Sequence, residues 1–332
     1  MGERGVSIEL NSARWSAAAN SGDIARLVTR LSSEYVLRLL QLRIEVFGDL
    51  RAGVLAQAID TANTARFDTR HAEWGRRVIG RGRCFPNETR RPISVSALSA
   101  STGLPLETTR RVVQRLIDSG ACVRVDGGVI VPMETLQRPA VARAVITNVG
   151  YLRRFVRDLQ AAGFIDDAPL WQPAETAVTD SFGARVLARL SGGYLLRTLR
   201  LLIDTYGDIR DGILASTIVT ANTAHLDVRR GDGWLYASVD KSPPDDMRRP
   251  ISIARLAESL GLPFETARRQ VRRLTDAGVC VRVRGGLIVP QAVMDRPEVT
   301  RNVLANVGYV RKFVRDVLSA SLDAPQERLL TA

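Results

Sequence analysis

Lysine is nearly absent from this chain of 332 residues: only Lys241 and Lys312 occur, so arginine supplies almost all of its basic charge. Histidine is limited to His71 and His225, and cysteine to Cys84, Cys122 and Cys280. Three cysteines without a CxxC pair leave one thiol over in any disulfide scheme. They predict a reducing compartment and hence the cytoplasm. No metal-ligand spacing, GxSxG turn or phosphate-binding glycine loop is present, so neither catalysis nor a metal or other cofactor is expected. The start, "MGERGVSIELNSARW", carries no apolar leader, and the most apolar run, "EYVLRLLQLRIEVFGDL", is interrupted by Arg38, Arg43 and Glu45. No membrane role is expected.

What the chain does have is apolar content, at 45%, and a formal net charge of +12. The length suits about two domains, each with a buried core. Arginine pairs bidentately with phosphates and guanine edges, so the balance suggests a polyanionic partner. An arginine-rich genome gives the same bulk excess, so the placement of the arginines matters more than their number.

The chain is one unit written twice. "SSEYVLRLLQLRIEVFGDLRAGVLAQAIDTANTARFD" aligns with "SGGYLLRTLRLLIDTYGDIRDGILASTIVTANTAHLD", so that Tyr35 matches Tyr194, Gly48 matches Gly207 and Asn63 matches Asn222. After the divergent stretches 69–89 and 228–247 the offset shortens by one, as Pro92 and Pro250 show. From Arg90 to Pro132 about two-thirds of positions equal their counterparts, too many for convergence on a shared fold. The expected organisation is a flexible start (1–22), repeat one (23–162), a linker (163–183) in which Trp171 pins the chain to a domain surface, repeat two (184–320) and a flexible end (321–332).

Each repeat opens with a helix, read in the first as about Ile24 to Phe47 on the apolar spacing Leu31, Tyr35, Leu39, Leu42 and Val46. Asp49 then suits the N-cap of a second helix reaching about Ala65; a catalytic role is the other reading of that carboxylate. Further on, "RRPISVSALSASTGLPLETTRRVVQRLIDSG" offers Ser94 as a cap, Gly103 for a tight turn and Pro105 at the start of a helix with the apolar stripe Thr109, Val113, Leu116 and Ile117. "ACVRVDGGVIVP" alternates around Gly127-Gly128, which predicts a hairpin.

The order helix, turn, helix, hairpin over 90–132 and 248–290 resembles the winged helix-turn-helix domains of bacterial transcription regulators of the MarR, GntR and IclR kinds. The resemblance implies a mainly α fold with small β-hairpin wings, a second helix that enters the major groove of double-stranded DNA, and a wing on the adjacent backbone. The residues themselves point the same way. With Val113 and Leu116 inward, Glu107, Thr108, Arg110, Arg111 and Gln114 lie toward the open side, as do Glu265, Thr266, Arg268, Arg269 and Arg272 in the second copy. Glu107 and Glu265 either accept from a cytosine amino group or orient a neighbouring arginine. Wing contacts fall to Arg124, Arg282 and Arg284, and Arg90, Arg91, Arg248 and Arg249 are candidates to hold phosphates at the entry to the first helix. Between Arg90 and Pro132 the net charge is +3, from six arginines and three acids; between Arg248 and Pro290 it is +6, from nine and three. Phosphate affinity should lean toward the second copy. The loop Gly80-Arg81-Gly82-Arg83 either enters a minor groove or is a plain basic loop.

Past each wing, Pro139 or Pro297 opens a long helix. Val145, Val149, Leu152, Val156 and Leu159, and in copy two Val303, Val307, Val310, Val314 and Val317, step by four and three. That is a packing seam, and it predicts that the flanking helices of the two copies pack on each other as an internal pseudo-dimer; pairing between chains in a homodimer uses the same seam. Asn63, Thr64, Asn222 and Thr223 in the repeated "TANTA" either bind a small-molecule effector or satisfy backbone groups. Cys122 and Cys280 read as buried packing on a strand or as a redox pair. The expected function is a nucleoid-associated transcription regulator reading an imperfect inverted repeat. A tandem winged-helix scaffold that binds proteins is the other reading.

Overall fold

The computed structural model describes residues 22–66, 84–165, 182–226 and 232–322. The Gly80–Arg83 loop and Trp171 lie outside these ranges. The protein is mainly helical, with two small antiparallel hairpins.

Repeat one begins with α1 (Ala25–Phe47) and α2 (Leu50–Asn63). Asp49 lies between them in extended backbone, and its Oδ1 accepts from Ala52 N at 2.9 Å. The carboxylate is a helix cap, answering one of the orphan amides of the first turn. Two shorter helices follow, α3 (Val95–Thr102), capped by Ser94, and α4 (Leu106–Asp118). The hairpin pairs β1 (Val123–Val125) with β2 (Gly128–Ile130), and Ile93 bridges Val129 from the other side. Gly128 has φ 149, and a Cβ there would meet the Ile93 carbonyl oxygen at 2.3 Å, so only glycine lets this third segment close on the ribbon. The cysteine before each hairpin lies one residue outside the strand. Cys122 N bonds Leu116 O at 3.0 Å and Cys280 N bonds Leu274 O at 3.4 Å, so each closes a helix end instead of joining the ladder. The repeat ends in α5 (Pro139–Ala161).

Repeat two rebuilds the same series: α6 (Phe182–Tyr206), α7 (Ile209–Thr223), α8 (Ile253–Ser259), α9 (Phe264–Asp276), β3 (Val281–Val283), β4 (Gly286–Ile288) and α10 (Pro297–Leu322).

The two repeats share one apolar core. Helix α1 packs on α2 and α5 of its own repeat and on α7 and α10 of the other; α6 packs on α7 and α10 and, reciprocally, on α2 and α5. The expected seam is the filling: Val145, Val149, Leu152, Val156 and Leu159 are all buried, as are Val303, Val310, Val314 and Val317, with Val307 half-buried. At its centre Tyr35 stacks on Phe155 at 4.9 Å and Tyr194 on Phe313 at 4.5 Å, and the two pairs stack on one another. The same exchange seats the short-helix units. A Cβ on Gly103 would lie 3.3 Å from Ile203 and one on Gly261 3.1 Å from Ile44, so the turn of each unit rests on the first long helix of the other repeat.

Candidate nucleic-acid interface

Helices α4 and α9 are strongly two-faced. Thr109, Val112, Val113 and Leu116 are buried on one side of α4, and Ala267, Gln270, Val271 and Leu274 on α9. The opposite faces put Glu107, Arg110, Arg111 and Gln114, and Glu265, Arg268, Arg269 and Arg272, into solvent, with Thr108 and Thr266 half-buried at the edge. Within each face the acid binds the arginine one turn on: Glu107 to Arg110 at 3.6 Å and Glu265 to Arg268 at 2.7 Å. The glutamates therefore orient a neighbouring arginine in the free protein. Arg111 and Arg269 have no carboxylate partner among the described residues. The copies differ at one place: Gln114 donates to Asp118 at 2.8 Å, whereas Arg272 lies 3.9 Å from Asp276.

Arg124, Arg282 and Arg284 are exposed on the hairpins, whose outer strands β1 and β3 are uncovered throughout. Arg91 and Arg249 also project into solvent while their backbones are held fast. Asn63 does the holding in repeat one: its Nδ2 donates to Arg91 O at 2.6 Å and Val129 O at 3.2 Å, and its Oδ1 accepts from Val131 N at 2.9 Å. Asn222 repeats this on Arg249 O, Leu287 O and Val289 N.

Two sets of sequence expectations are corrected here. Arg90 and Arg248 do not face outward with their neighbours. The Arg90 side chain is 1% exposed, pairs with Asp60 Oδ1 at 2.9 Å and donates to Phe85 O; the Arg248 side chain is 0% exposed and donates to Pro243 O at 2.7 Å. Successive residues of an extended segment point to opposite sides, so one arginine of each pair is turned inward. Neither can hold a phosphate. Asn63 and Asn222 are fully buried with their amide groups committed to the clamp, so neither offers an effector a polar group. Thr64 and Thr223 donate to Asp60 O and Val219 O four residues back, both at 2.9 Å. Backbone satisfaction is thus the role of all four side chains.

The redox reading of the cysteines also loses its chemical basis. Cys122 and Cys280 are fully buried, and burial pushes the Cys122 thiol up to about 12, away from the thiolate that oxidation needs.

Three features were missed at the sequence level. Arg115 of α4 binds Asp49 at 2.9 Å and Arg273 of α9 binds Asp211 at 2.9 Å, tying each exposed helix to α2 or α7. The third is a crowding of cations between the two units. Burial first, and then Arg210 of the other repeat, holds the Arg51 guanidinium below its ordinary range, with Arg111 adding to the effect. The repeat alignment itself carried a signal, since Arg51 and Arg210 are matched residues beside the matched caps Asp49 and Asp208.

No group of His, Cys, Asp and Glu among the described residues is placed to hold a metal ion, and no helix there is long and apolar enough to cross a membrane. Compared with known protein families, curated proteins and solved structures, the chain matches none.

Proposed function

We propose that the protein is a sequence-specific double-stranded DNA-binding transcription regulator in which two winged helix-turn-helix heads are carried by one chain. The observation that carries this reading is the repeated face of α4 and α9, where arginines occupy the solvent-facing side of the second short helix in each unit. In this reading α4 and α9 enter successive major grooves, the hairpins lie on the flanking backbone, and Arg91 and Arg249 take phosphates.

The reciprocal packing of the repeats supports an imperfect inverted repeat as the site, with half-sites about 34 Å apart, one turn of DNA. The apolar seam is consumed inside the chain, which favours one chain per site over a homodimer with four heads. Footprinting on selected DNA is the test: two protected half-sites per chain are expected, with affinity falling steeply as salt rises. Protection of one isolated half-site, or binding indifferent to salt, removes the reading and leaves the protein-binding scaffold as the alternative.

A further inference from the structure

The internal symmetry makes each repeat a control for the other, and at one place the control fails. In repeat one the buried guanidinium of Arg90 has a carboxylate, Asp60, at 2.9 Å from its Nη1. The residue matching Asp60 in repeat two is Val219. Arg248, which matches Arg90, keeps the buried place without that counter-charge. Its Nη2 donates to Pro243 O, and its Nε faces Asp245 Oδ1 at 3.4 Å, a carboxylate half open to water. Its Nη1 is buried and, among the described residues, has no hydrogen-bond partner. The same holds for the hydroxyl of Thr220, next to Val219.

Arg248 and Thr220 both line one cavity of about 50 Å³, bounded also by Arg26, Arg30, Val219 and Val303. Arg26 is bound to Asp295 at 3.1 Å, whereas Arg30, among the described residues, donates to the carbonyls of Tyr236 and Gly233. Burial, with Arg26 second, pulls the Arg30 guanidinium down to about 10, which records how little negative charge reaches it. Three arginines thus line a cavity whose wall, among the described residues, has hydroxyls and valines and no carboxylate, with Asp295 and Asp245 meeting Arg26 and Arg248 from outside it. Buried cationic N–H groups are ordinarily paired.

We propose that this cavity binds a small organic carboxylate, whose oxygens take the place Asp60 fills in the other repeat and accept from Arg248 Nη1 and Thr220 Oγ1. A carboxylate suits the walls better than a phosphate: its two oxygens sit at one end, and its hydrocarbon end meets Val219 and Val303, where a phosphate would leave oxygens against valine. An adjoining cleft of about 400 Å³ shares Arg30, Thr220 and Thr223 with the cavity and gives the hydrocarbon further room. None of the residues lining the cavity belongs to α4, α9 or the hairpins, so the test below does not depend on the DNA-binding reading.

The test uses the full chain with isobutyrate and its neutral analogue isobutyramide, at constant ionic strength, read by thermal unfolding and calorimetric titration. Isobutyrate is expected to give a saturable calorimetric isotherm and to raise the unfolding midpoint with the logarithm of its concentration, as a ligand of the folded state must, while isobutyramide and equal sodium chloride do neither. V219D supplies the missing carboxylate from within and should abolish the isobutyrate response; V219A, which leaves that place open, should keep it. T220V, nearly isosteric with the native residue, should weaken isobutyrate about ten- to hundredfold, the loss of one hydrogen bond to a charged group. A response shared by the amide or by chloride, no saturable calorimetric response, or identical behaviour of V219D and V219A overturns the proposal.

Discussion

The hydroxyl of Tyr35 lies 2.8 Å from Oγ of Ser191, a residue of the other repeat, and 3.0 Å from Oδ1 of Asn148 in its own. The pseudo-twofold mate of this contact joins Tyr194 to Ser32 at 2.5 Å and to Asn306 at 3.2 Å. All six side chains are buried, so each repeat completes its polar core with a serine from the other. Replacing Tyr35 with Phe keeps the ring stacked on Phe155 and removes only the oxygen, leaving Ser191 and Asn148 short of a partner. The expected cost is about 1–3 kcal/mol. Calorimetry of Y35F should show a single transition moved to lower temperature; two separate transitions would mean that the repeats fold independently.

The same network sets an alkaline limit. Burial pushes the Tyr194 hydroxyl from 10.0 up to about 12, outweighing its side-chain hydrogen bonds with Ser32, Thr198 and Asn306, which act the other way. A group whose pKa is raised on folding loses its proton first in the unfolded chain, so its stabilising effect is full below about pH 10 and declines as pH rises toward 12. Y194F, measured by denaturant titration across that range, should lose this component of the decline and keep a lower but flatter profile.

The asparagine clamp predicts a local effect. Asn63→Ala breaks three hydrogen bonds and leaves the Arg91 and Val129 carbonyls and the Val131 amide with fewer partners in a buried place. Hairpin amides should exchange with solvent faster, and global stability should fall by about 2–3 kcal/mol. Hydrogen exchange that leaves the hairpin as protected as in the native protein counts against the clamp.

Much of this frame was legible in the sequence because its signals are local. Asp49 and Ser94 cap as their spacing implies, the glycine pair forces the hairpin, and the seam from Val145 to Leu159 packs along its whole length. What could not be read was which of two adjacent arginines turns inward. Arg90 and Arg91 are chemically identical, and the choice depends on Asp60, thirty residues away, presented by a different helix. The asparagines were misjudged for a related reason: a polar residue at a helix end looks free until the segment it binds arrives from elsewhere in the chain. Only the alignment of the repeats, with Asp60 against Val219, marks where the two halves part company.

That division between arginines is directly testable. Arg91→Ala should leave the unfolding temperature almost unchanged and reduce the slope of log affinity against log salt by about 0.9, one phosphate contact. Arg90→Met should do the reverse, because it strands Asp60; about 3 kcal/mol is expected, the low end for a broken buried pair, since Asp60 keeps 23% of its side-chain exposure. Equal salt slopes for Arg91→Ala and the native protein would remove Arg91 from the interface.

The sharpest prediction concerns the two reading faces. They agree at Glu107 and Glu265, Thr108 and Thr266, and both arginine pairs, and differ at Gln114 against Arg272, with Asp126 against Arg284 at the hairpin turns. Gln114 is held by Asp118 at 2.8 Å, whereas Arg272 is only loosely tied to Asp276 and is 82% exposed. An amide reads adenine and a guanidinium reads guanine or a phosphate, so the half-site under α9 should bind more tightly and tolerate salt less. Gln114→Arg should make the half-sites more alike, raise total affinity at low salt and steepen the salt slope by about 0.9 if the new contact is to phosphate. If it is to a base, the slope stays and the preferred base changes at one position, with about 1–3 kcal/mol of discrimination. Arg272→Gln should run each effect backward. Selection of bound sequences from a random pool with each variant reads both at once, and an unchanged site preference in both variants would show that these two positions do not touch the bases.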